Sequence, residues 1–86
     1  MENKLIYRLP WVMTYSHKHQ GQQIKVTGAG RYPYECYTDF LKEVQKVPAL
    51  RKDWKDGIRV DMFMTNQNTG KTIQWHVDIH WYKKNK

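Results

Sequence analysis

The sequence has very little cysteine: Cys36 is the only one among 86 residues. A single thiol cannot close an intrachain disulfide, and it cannot supply the several thiolates of a cysteine-rich zinc site. We therefore expect a hydrophobic core, rather than cross-links, to hold the fold. The expected compartment is the reducing cytoplasm, with Cys36 acting as a small buried side chain and not as a reactive thiol.

Long apolar segments are also missing. No run at the N-terminus suits a signal peptide, and no stretch approaches the roughly 20 apolar residues that span a bilayer. We expect a single domain over residues 1–86 that has no membrane partner, with residues 83–86 forming a frayed basic tail.

Glycine is scarce, and only Gly28-Ala29-Gly30-Arg31 brings two glycines close together. This motif lacks the strand-to-helix glycine spacing of a nucleotide-binding loop, so we expect no cofactor. Backbone amides beside an arginine can contact a phosphate, but we interpret the segment as a turn, with the tyrosines that follow it packing at the end of a sheet.

Acidic residues are few: 8 face 15 lysines and arginines, which gives a net charge of +7. Such an excess attracts anionic partners, of which nucleic acid is the commonest. Simple solubility is the alternative explanation. Several basic residues lie along the helical segment described below, and we interpret them as its solvated side. They are Lys42, Lys46, Arg51, Lys52 and Lys55.

The clearest pattern in the chain is an unbroken alternation from Thr72 to Tyr82. One set of alternate residues is apolar: Ile73, Trp75, Val77, Ile79 and Trp81. The other set is polar or titratable: Thr72, Gln74, His76, Asp78, His80 and Tyr82. A period of two predicts a strand with one buried face. Because the other face offers groups that stack, donate hydrogen bonds and titrate, we expect function there.

Three other segments also alternate, and they predict strands over residues 4–16, over residues 22–29 and from Ile58 to about Thr65. Pro10 cannot donate to a ladder, so the first of these should be an edge strand or carry a bulge. We expect the hairpin loops at Lys18–Gly21 and Gln67–Gly70.

The second hairpin loop sets a register for the strands on either side of it. It places Met62 opposite Trp75, and Val60 opposite Val77. On the exposed face the same register places Asp61 opposite His76, and Arg59 opposite Asp78. Oppositely charged groups directly across a ladder stabilise the pairing, which supports this register.

A helical segment separates the two hairpins. Thr38 or Asp39 can cap it, and an apolar stripe at helical spacing follows: Phe40, Leu41, Val44 and Val47. Pro48 should end this helix near Lys46 and begin a second short turn over Ala49–Asp56, closed by Gly57 and buried through Leu50 and Trp54. The order ββαββ predicts a two-layer α+β fold, in which one main helix covers one face of a four-stranded antiparallel sheet.

The uncovered sheet face is the candidate binding site, and RNA or another single strand is the expected ligand. Unpaired bases stack on aromatic and imidazole rings, while amides and cations contact base edges and phosphates. The ring-bearing candidates are Phe63, His76, His80 and Tyr82. The polar and cationic candidates are Arg59, Gln74, Lys71, Lys25 and Arg31. A chain this small can also act as an RNA-dependent inhibitor or adaptor of another protein.

Two alternatives use the same face. It can bind a protein partner without nucleic acid, as an inhibitor or adaptor, or it can pack against a second copy of the chain as a homodimer. The face also holds the residue types of a metal-independent ribonuclease, because His76, His80, Tyr82 and Arg59 offer a base, an acid and a cation. The paired Asp61 can hold the imidazole of His76 in one tautomer. The spacing is not diagnostic of this chemistry, so we assign no catalytic residue and expect no enzyme activity.

Metal binding has weak support in the sequence. His76 and His80 lie four apart on a strand, roughly 13 Å from each other, which is too far to chelate one ion. A site on that strand would need His76, Asp78 and the cross-strand Asp61. His17 and His19 share a face of the strand but lie at the expected hairpin loop, which should be mobile. We therefore predict no metal site.

Overall fold

A computed structural model describes residues 9–82 of the chain. Two hairpins flank two helices, in the order β1 (Trp11–His19), β2 (Gln22–Gly30), α1 (Pro33–Gln45), α2 (Pro48–Asp53), β3 (Ile58–Asn66) and β4 (Thr72–Ile79). The four strands form one antiparallel sheet, so the predicted α+β ββαββ fold is confirmed. The predicted strand residues 4–8 and the predicted tail 83–86 lie outside the described residues.

The sheet has the strand order β2-β1-β3-β4, so β1 is an interior strand. The prediction of an edge strand or bulge at Pro10 is wrong, because Pro10 precedes the strand and its missing donor stays out of the ladder. Within residues 9–82, β1 pairs with β3 only at Trp11↔Asn66 and Val12↔Thr65. The two hairpins therefore share one short ladder.

The first hairpin turns over two residues, Gln20 and Gly21, which have φ angles of 51° and 82°. Two successive left-handed residues suit the twist of a tight hairpin. Because the turn is this short, Lys18 and His19 belong to β1, and the predicted four-residue loop is wrong on this point.

The second hairpin has the predicted register, with Met62 opposite Trp75 and Asp61 opposite His76. However, β4 ends at Ile79 and not at Tyr82. The backbone beyond Ile79 pairs with side chains of the helical layer instead of a strand. For example, Gln45 Nε2 donates a hydrogen bond to the carbonyl of His80 at 2.8 Å.

Helix α1 begins at Pro33, earlier than the predicted caps Thr38 and Asp39, which lie inside it. Proline suits the first turn of a helix because its fixed φ is helical and it lacks a donor that would stay unpaired there. The predicted break before Pro48 is confirmed. Helix α2 is shorter than predicted, since it ends at Asp53. Between residues 9 and 82 we find no helix with the length and apolar character needed to cross a membrane.

The core lies between the helices and one face of the sheet. Its buried residues are Met13, Val26, Cys36, Phe40, Val44, Leu50, Met62, Met64, Val77 and Ile79. Helix α1 approaches β2 closely at Gly28 and Gly30: a Cβ on Gly28 would lie 2.5 Å from the backbone nitrogen of Phe40. These glycines therefore serve strand–helix packing, and the predicted turn at residues 28–31 is wrong.

Candidate nucleic-acid interface

The sheet face that points away from the helices is called the open face here. Each strand contributes four alternate residues: Val12, Thr14, Ser16 and Lys18 from β1; Gln23, Lys25, Thr27 and Ala29 from β2; Arg59, Asp61, Phe63 and Thr65 from β3; and Thr72, Gln74, His76 and Asp78 from β4. Most of these side chains are exposed, as the alternation in the sequence predicts.

Phe63 is the aromatic group of the open face. It stands directly across from Gln74 and keeps 62 % of its surface exposed. The chain has a thin core that would gain from another aromatic ring, yet the period of β3 turns Phe63 away from that core and buries Met62 and Met64 instead. An apolar ring thus lies among polar neighbours, where it can stack on a flat ligand.

Asp61 organises the groups beside Phe63. One of its carboxylate oxygens hydrogen-bonds His76 Nδ1, and the other accepts a hydrogen bond from Gln74 Nε2 at 3.3 Å. The His76 side chain is nevertheless 81 % exposed. The carboxylate therefore orients the amide and the imidazole without removing either from solvent.

Asp78 plays a similar role at the other end of the strand pair. Arg59 Nη2 lies 3.4 Å from one carboxylate oxygen of Asp78, and His80 Nε2 lies 3.3 Å from the other. Both acids on the open face thus have nitrogen partners. Surface ion pairs of this kind contribute at most about 1 kcal/mol each to stability. Their side chains can therefore exchange partners when a ligand binds.

The charges of the open face are unevenly distributed. Three cations, Lys18, Lys25 and Arg59, share the face with the carboxylates of Asp61 and Asp78. The β3–β4 half, which carries the ring groups, therefore has more acid than base when its histidines are neutral. The β1–β2 half is basic, and beside its two lysines it carries Thr14, Ser16 and Thr27 together with Val12, Gln23 and Ala29.

The structure gathers only part of the predicted site. Five of the predicted residues lie together on β3 and β4 or directly after β4: Arg59, Phe63, Gln74, His76 and His80. Lys25 shares the open face but lies two strands away, opposite Ser16. Lys71 is exposed in the β3–β4 turn.

Arg31 and Tyr82 are more distant from this group. Arg31 follows β2, and its Nε lies 3.6 Å from Glu35 Oε1. Tyr82 lies beyond the end of β4, where its carbonyl accepts a hydrogen bond from Arg51 Nη2 at 3.2 Å. Its side chain is 58 % exposed.

Two tyrosines at the start of α1 are exposed, although the tyrosines were expected to pack at the end of the sheet. Tyr34 is 63 % exposed and Tyr32, directly before the helix, is 55 % exposed. Only Tyr37 packs as expected, with its ring centroid 6.0 Å from that of Trp75. The predicted helix began at Thr38 or Asp39, so these tyrosines were expected in a loop. Because α1 begins at Pro33 instead, Tyr34 lies in its first turn and stays exposed.

A second group of polar side chains lies on the other side of the sheet, and its third member, Asp53, was not predicted. His17 and His19 lie on the helix-facing side of β1 and contact Asp53 of α2. The alternation of Met13, Tyr15, His17 and His19 was a usable signal for one shared face, but nothing in the sequence indicated Asp53.

The open face combines a stackable ring, oriented hydrogen-bonding groups and flanking cations. These are the three kinds of contact by which sheets hold unpaired nucleotides. No protein-family model, no curated protein and no solved structure matches this chain.

Proposed function

We propose that this protein binds RNA or another single-stranded nucleic acid through the open face. The observation that carries the proposal is the exposed ring of Phe63 on a sheet face that neither helix covers. One base stacked on an aromatic side chain contributes about 1–3 kcal/mol to binding, whatever its identity. The ring therefore suits a single strand better than a closed duplex, whose bases are already stacked.

The groups beside Phe63 suit the edges of a stacked base. Gln74 lies directly across the ladder from Phe63 and offers both a donor and an acceptor. His76, two residues further along β4, offers a ring nitrogen. Because Asp61 holds both groups by hydrogen bonds, they are partly ordered before the ligand binds. Such ordering lowers the entropy cost of recognition.

The flanking cations suit the phosphates. Lys25 and Lys18 lie on the basic half of the open face, and Lys71 is exposed in the turn between β3 and β4. A strand whose bases lie over Phe63 has cations on both sides of its path. These contacts are independent of sequence and sensitive to salt. The net charge of +7 draws a polyanion from a distance.

The proposal places the protein in the cytoplasm, where a lone thiol such as Cys36 stays reduced. There it acts by holding RNA, and it can bring RNA to a second protein or block that protein when RNA is bound. Catalysis is not part of the proposal.

One observation favours a second candidate function. Asp61 and Asp78 put two carboxylates on the ring-bearing half of the open face, where they repel phosphates. A protein partner with basic residues, or a second copy of the chain, accommodates these acids more readily. The second candidate is therefore an inhibitor or adaptor that uses the same face without nucleic acid.

Binding of labelled single-stranded RNA, measured at several salt concentrations, tests the proposal. Contacts to Z phosphates predict a log–log slope of roughly −0.7Z for a single strand. A competing duplex of the same length should displace the RNA weakly. If no RNA binds at low salt, the adaptor function is favoured. Cleavage of the RNA that disappears in His76→Ala, while binding persists, would instead establish a ribonuclease.

A further inference from the structure

Three side chains with metal-ligating atoms meet on the helix-facing side of β1. His17 Nε2 lies 2.7 Å from Asp53 Oδ2, and His19 Nδ1 lies 2.9 Å from the same oxygen. All three ligand atoms are within 4.8 Å of one another. Two histidines separated by one residue on a strand share a face, and the end of α2 brings the carboxylate to them.

The two histidines are largely shielded from solvent, whereas the side chain of Asp53 is 32 % exposed. The His17 side chain is 13 % exposed and that of His19 is 21 % exposed. The His17 ring packs edge-on against Trp54, with the ring centroids 5.2 Å apart. Its second nitrogen, Nδ1, lies 3.4 Å from the hydroxyl of Tyr15. Packing and this outer contact thus fix the direction in which Nε2 points.

We infer that His17, His19 and Asp53 form a binding site for a zinc ion. Zn²⁺ binds imidazole nitrogen and carboxylate oxygen at about 2.0–2.2 Å in a tetrahedron, which places neighbouring ligand atoms about 3.3 Å apart. The two nitrogen–oxygen distances need to widen by only about half an ångström to reach this spacing. Three protein ligands leave the fourth position to water or to an anion.

In this structure His17 Nε2 and His19 Nδ1 both contact a carboxylate oxygen that accepts hydrogen bonds, so zinc would displace a proton from each nitrogen. A metal on His17 Nε2 requires the ring proton on Nδ1, which faces the Tyr15 hydroxyl oxygen as an acceptor. A metal on His19 Nδ1 requires the proton on Nε2. A zinc-binding histidine is usually oriented by an outer-shell acceptor for its other ring N–H, and the Tyr15 hydroxyl would be that acceptor for His17.

The ligand set also selects the class of metal. Magnesium and calcium prefer sites built from oxygen atoms, whereas two imidazoles and one carboxylate suit zinc and its transition-metal neighbours. His76, by contrast, hydrogen-bonds Asp61 and is 81 % exposed, and the described residues place no third metal-ligating atom close to this pair.

A basic cleft adjoins the site. It has a volume of about 590 Å³, and its lining consists of His19, Pro48, Ala49, Arg51, Lys52 and Lys55. Because His19 belongs both to the cleft and to the cluster, an anion bound at the fourth metal position would have three cationic side chains nearby. These cations repel the metal ion, but they favour an anionic fourth ligand such as inorganic phosphate.

Calorimetric titration of the full chain, free of any polyhistidine tag, with Zn²⁺ tests the inference without nucleic acid. We expect one ion per chain, with the affinity reduced at least about 100-fold in His19→Gln and in Asp53→Asn, because even outer-shell changes cost 10–100-fold. Tyr15→Phe should reduce affinity about tenfold. The matched control His76→Ala/His80→Ala removes two histidines but should bind zinc as tightly as the wild-type chain.

The thermal melting temperature (Tm) separates a metal site from a purely structural cluster. Zn²⁺ should raise the Tm of the wild-type chain and of the control, but not that of His19→Gln or Asp53→Asn. The inference is overturned if Zn²⁺ leaves the wild-type Tm unchanged, if His19→Gln binds zinc normally, or if the control loses zinc. None of these results bears on RNA binding by the open face.

Discussion

Phe63 of β3 lies directly opposite Gln74 of β4, on the side of the sheet that neither helix covers. The Gln74 amide donates a hydrogen bond to Asp61, which also hydrogen-bonds His76. One exposed ring therefore borders an ordered set of hydrogen-bonding groups. The predictions for the open face all depend on this neighbourhood, because it allows stacking and edge contacts on the same nucleotide.

The first prediction concerns the ring itself. Phe63→Ala should weaken RNA binding by about 1–3 kcal/mol, which corresponds to roughly 5- to 150-fold. The Tm of this variant should change little, because Phe63 is already 62 % exposed in the folded protein. Fluorescence anisotropy with a labelled single strand measures the effect.

Tyr34→Ala provides the matched control for that experiment. Tyr34 is an aromatic residue of nearly equal exposure, 63 %, but it lies in the first turn of α1 on the helical layer. RNA affinity should be unchanged in this variant. An equal loss in both variants, or unfolding of Phe63→Ala, would contradict the assignment of Phe63 to the interface.

The second prediction separates nucleic acid from a basic protein partner. Asp61→Asn removes a negative charge from the open face but keeps an acceptor for Gln74 and His76. RNA binding at low salt should become about two- to fivefold tighter, and the gain should fade at high salt. A basic protein partner would instead bind more weakly.

Asp56→Asn changes the net charge by the same amount and controls for long-range attraction. Asp56 is exposed in the turn after α2, away from the open face. If the two variants have equal effects on RNA affinity, the phosphates do not pass close to Asp61, and the proposed path of the strand is wrong.

Local periodicity was sufficient to predict the two-layer fold and the register of the second hairpin. Alternation assigns each face, and the charge pair Arg59↔Asp78 selects one register among the possible slips. The start of α1 could not be read in the same way. Asp39 resembles a cap in the sequence, but its carboxylate accepts a hydrogen bond from the backbone nitrogen of Ala29, a tertiary contact that local rules do not contain.

The same limit applies to the sites. Phe63 and His76 could be placed on one exposed face because both positions follow from a period of two. The contact of His17 and His19 with Asp53 depends on how α2 docks on β1, across separations of 36 and 34 residues. The sequence also suggested a four-residue loop, whereas the tight turn at Gln20 and Gly21 extends β1 far enough to order both histidines.

The third prediction concerns the contact between β2 and α1. In Gly28→Ala the new Cβ would lie 2.5 Å from the backbone nitrogen of Phe40, and helix backbone cannot move aside as a flexible side chain can. The free energy of unfolding should fall by about 1–3 kcal/mol or more, as for other overpacked cores. Urea denaturation with an unchanged m-value measures the loss.

Gly70→Asn is the control for this glycine. Gly70 has a φ of +78° and open space around its missing Cβ, so it needs only a residue that tolerates the left-handed region. Asparagine does so at small cost, and stability should change by less than about 1 kcal/mol. If Gly28→Ala is equally mild, the helix is not held against the strand as closely as described.

The last prediction concerns Cys36, which has no exposed surface and whose Sγ donates a weak hydrogen bond to the carbonyl of Gly28. Burial raises the pKa of this thiol from 9.0 to about 11, and the nearby charge of Asp39 acts in the same direction. The thiolate is the reactive form. At pH 8 a thiol reagent should therefore modify Cys36 only when the chain unfolds, at a rate that rises with urea.

The same shift makes stability depend on pH in a defined direction. Between about pH 9 and 11 the unfolded chain releases the thiol proton while the folded chain retains it. The unfolded state then binds fewer protons, so the free energy of unfolding falls as pH rises, by up to about 1.4 kcal/mol per pH unit from this group. The comparison with Cys36→Ala isolates the thiol, since that variant should lose less stability between pH 9 and 11. Equal pH profiles for the two proteins would mean that the thiol titrates normally in the folded state.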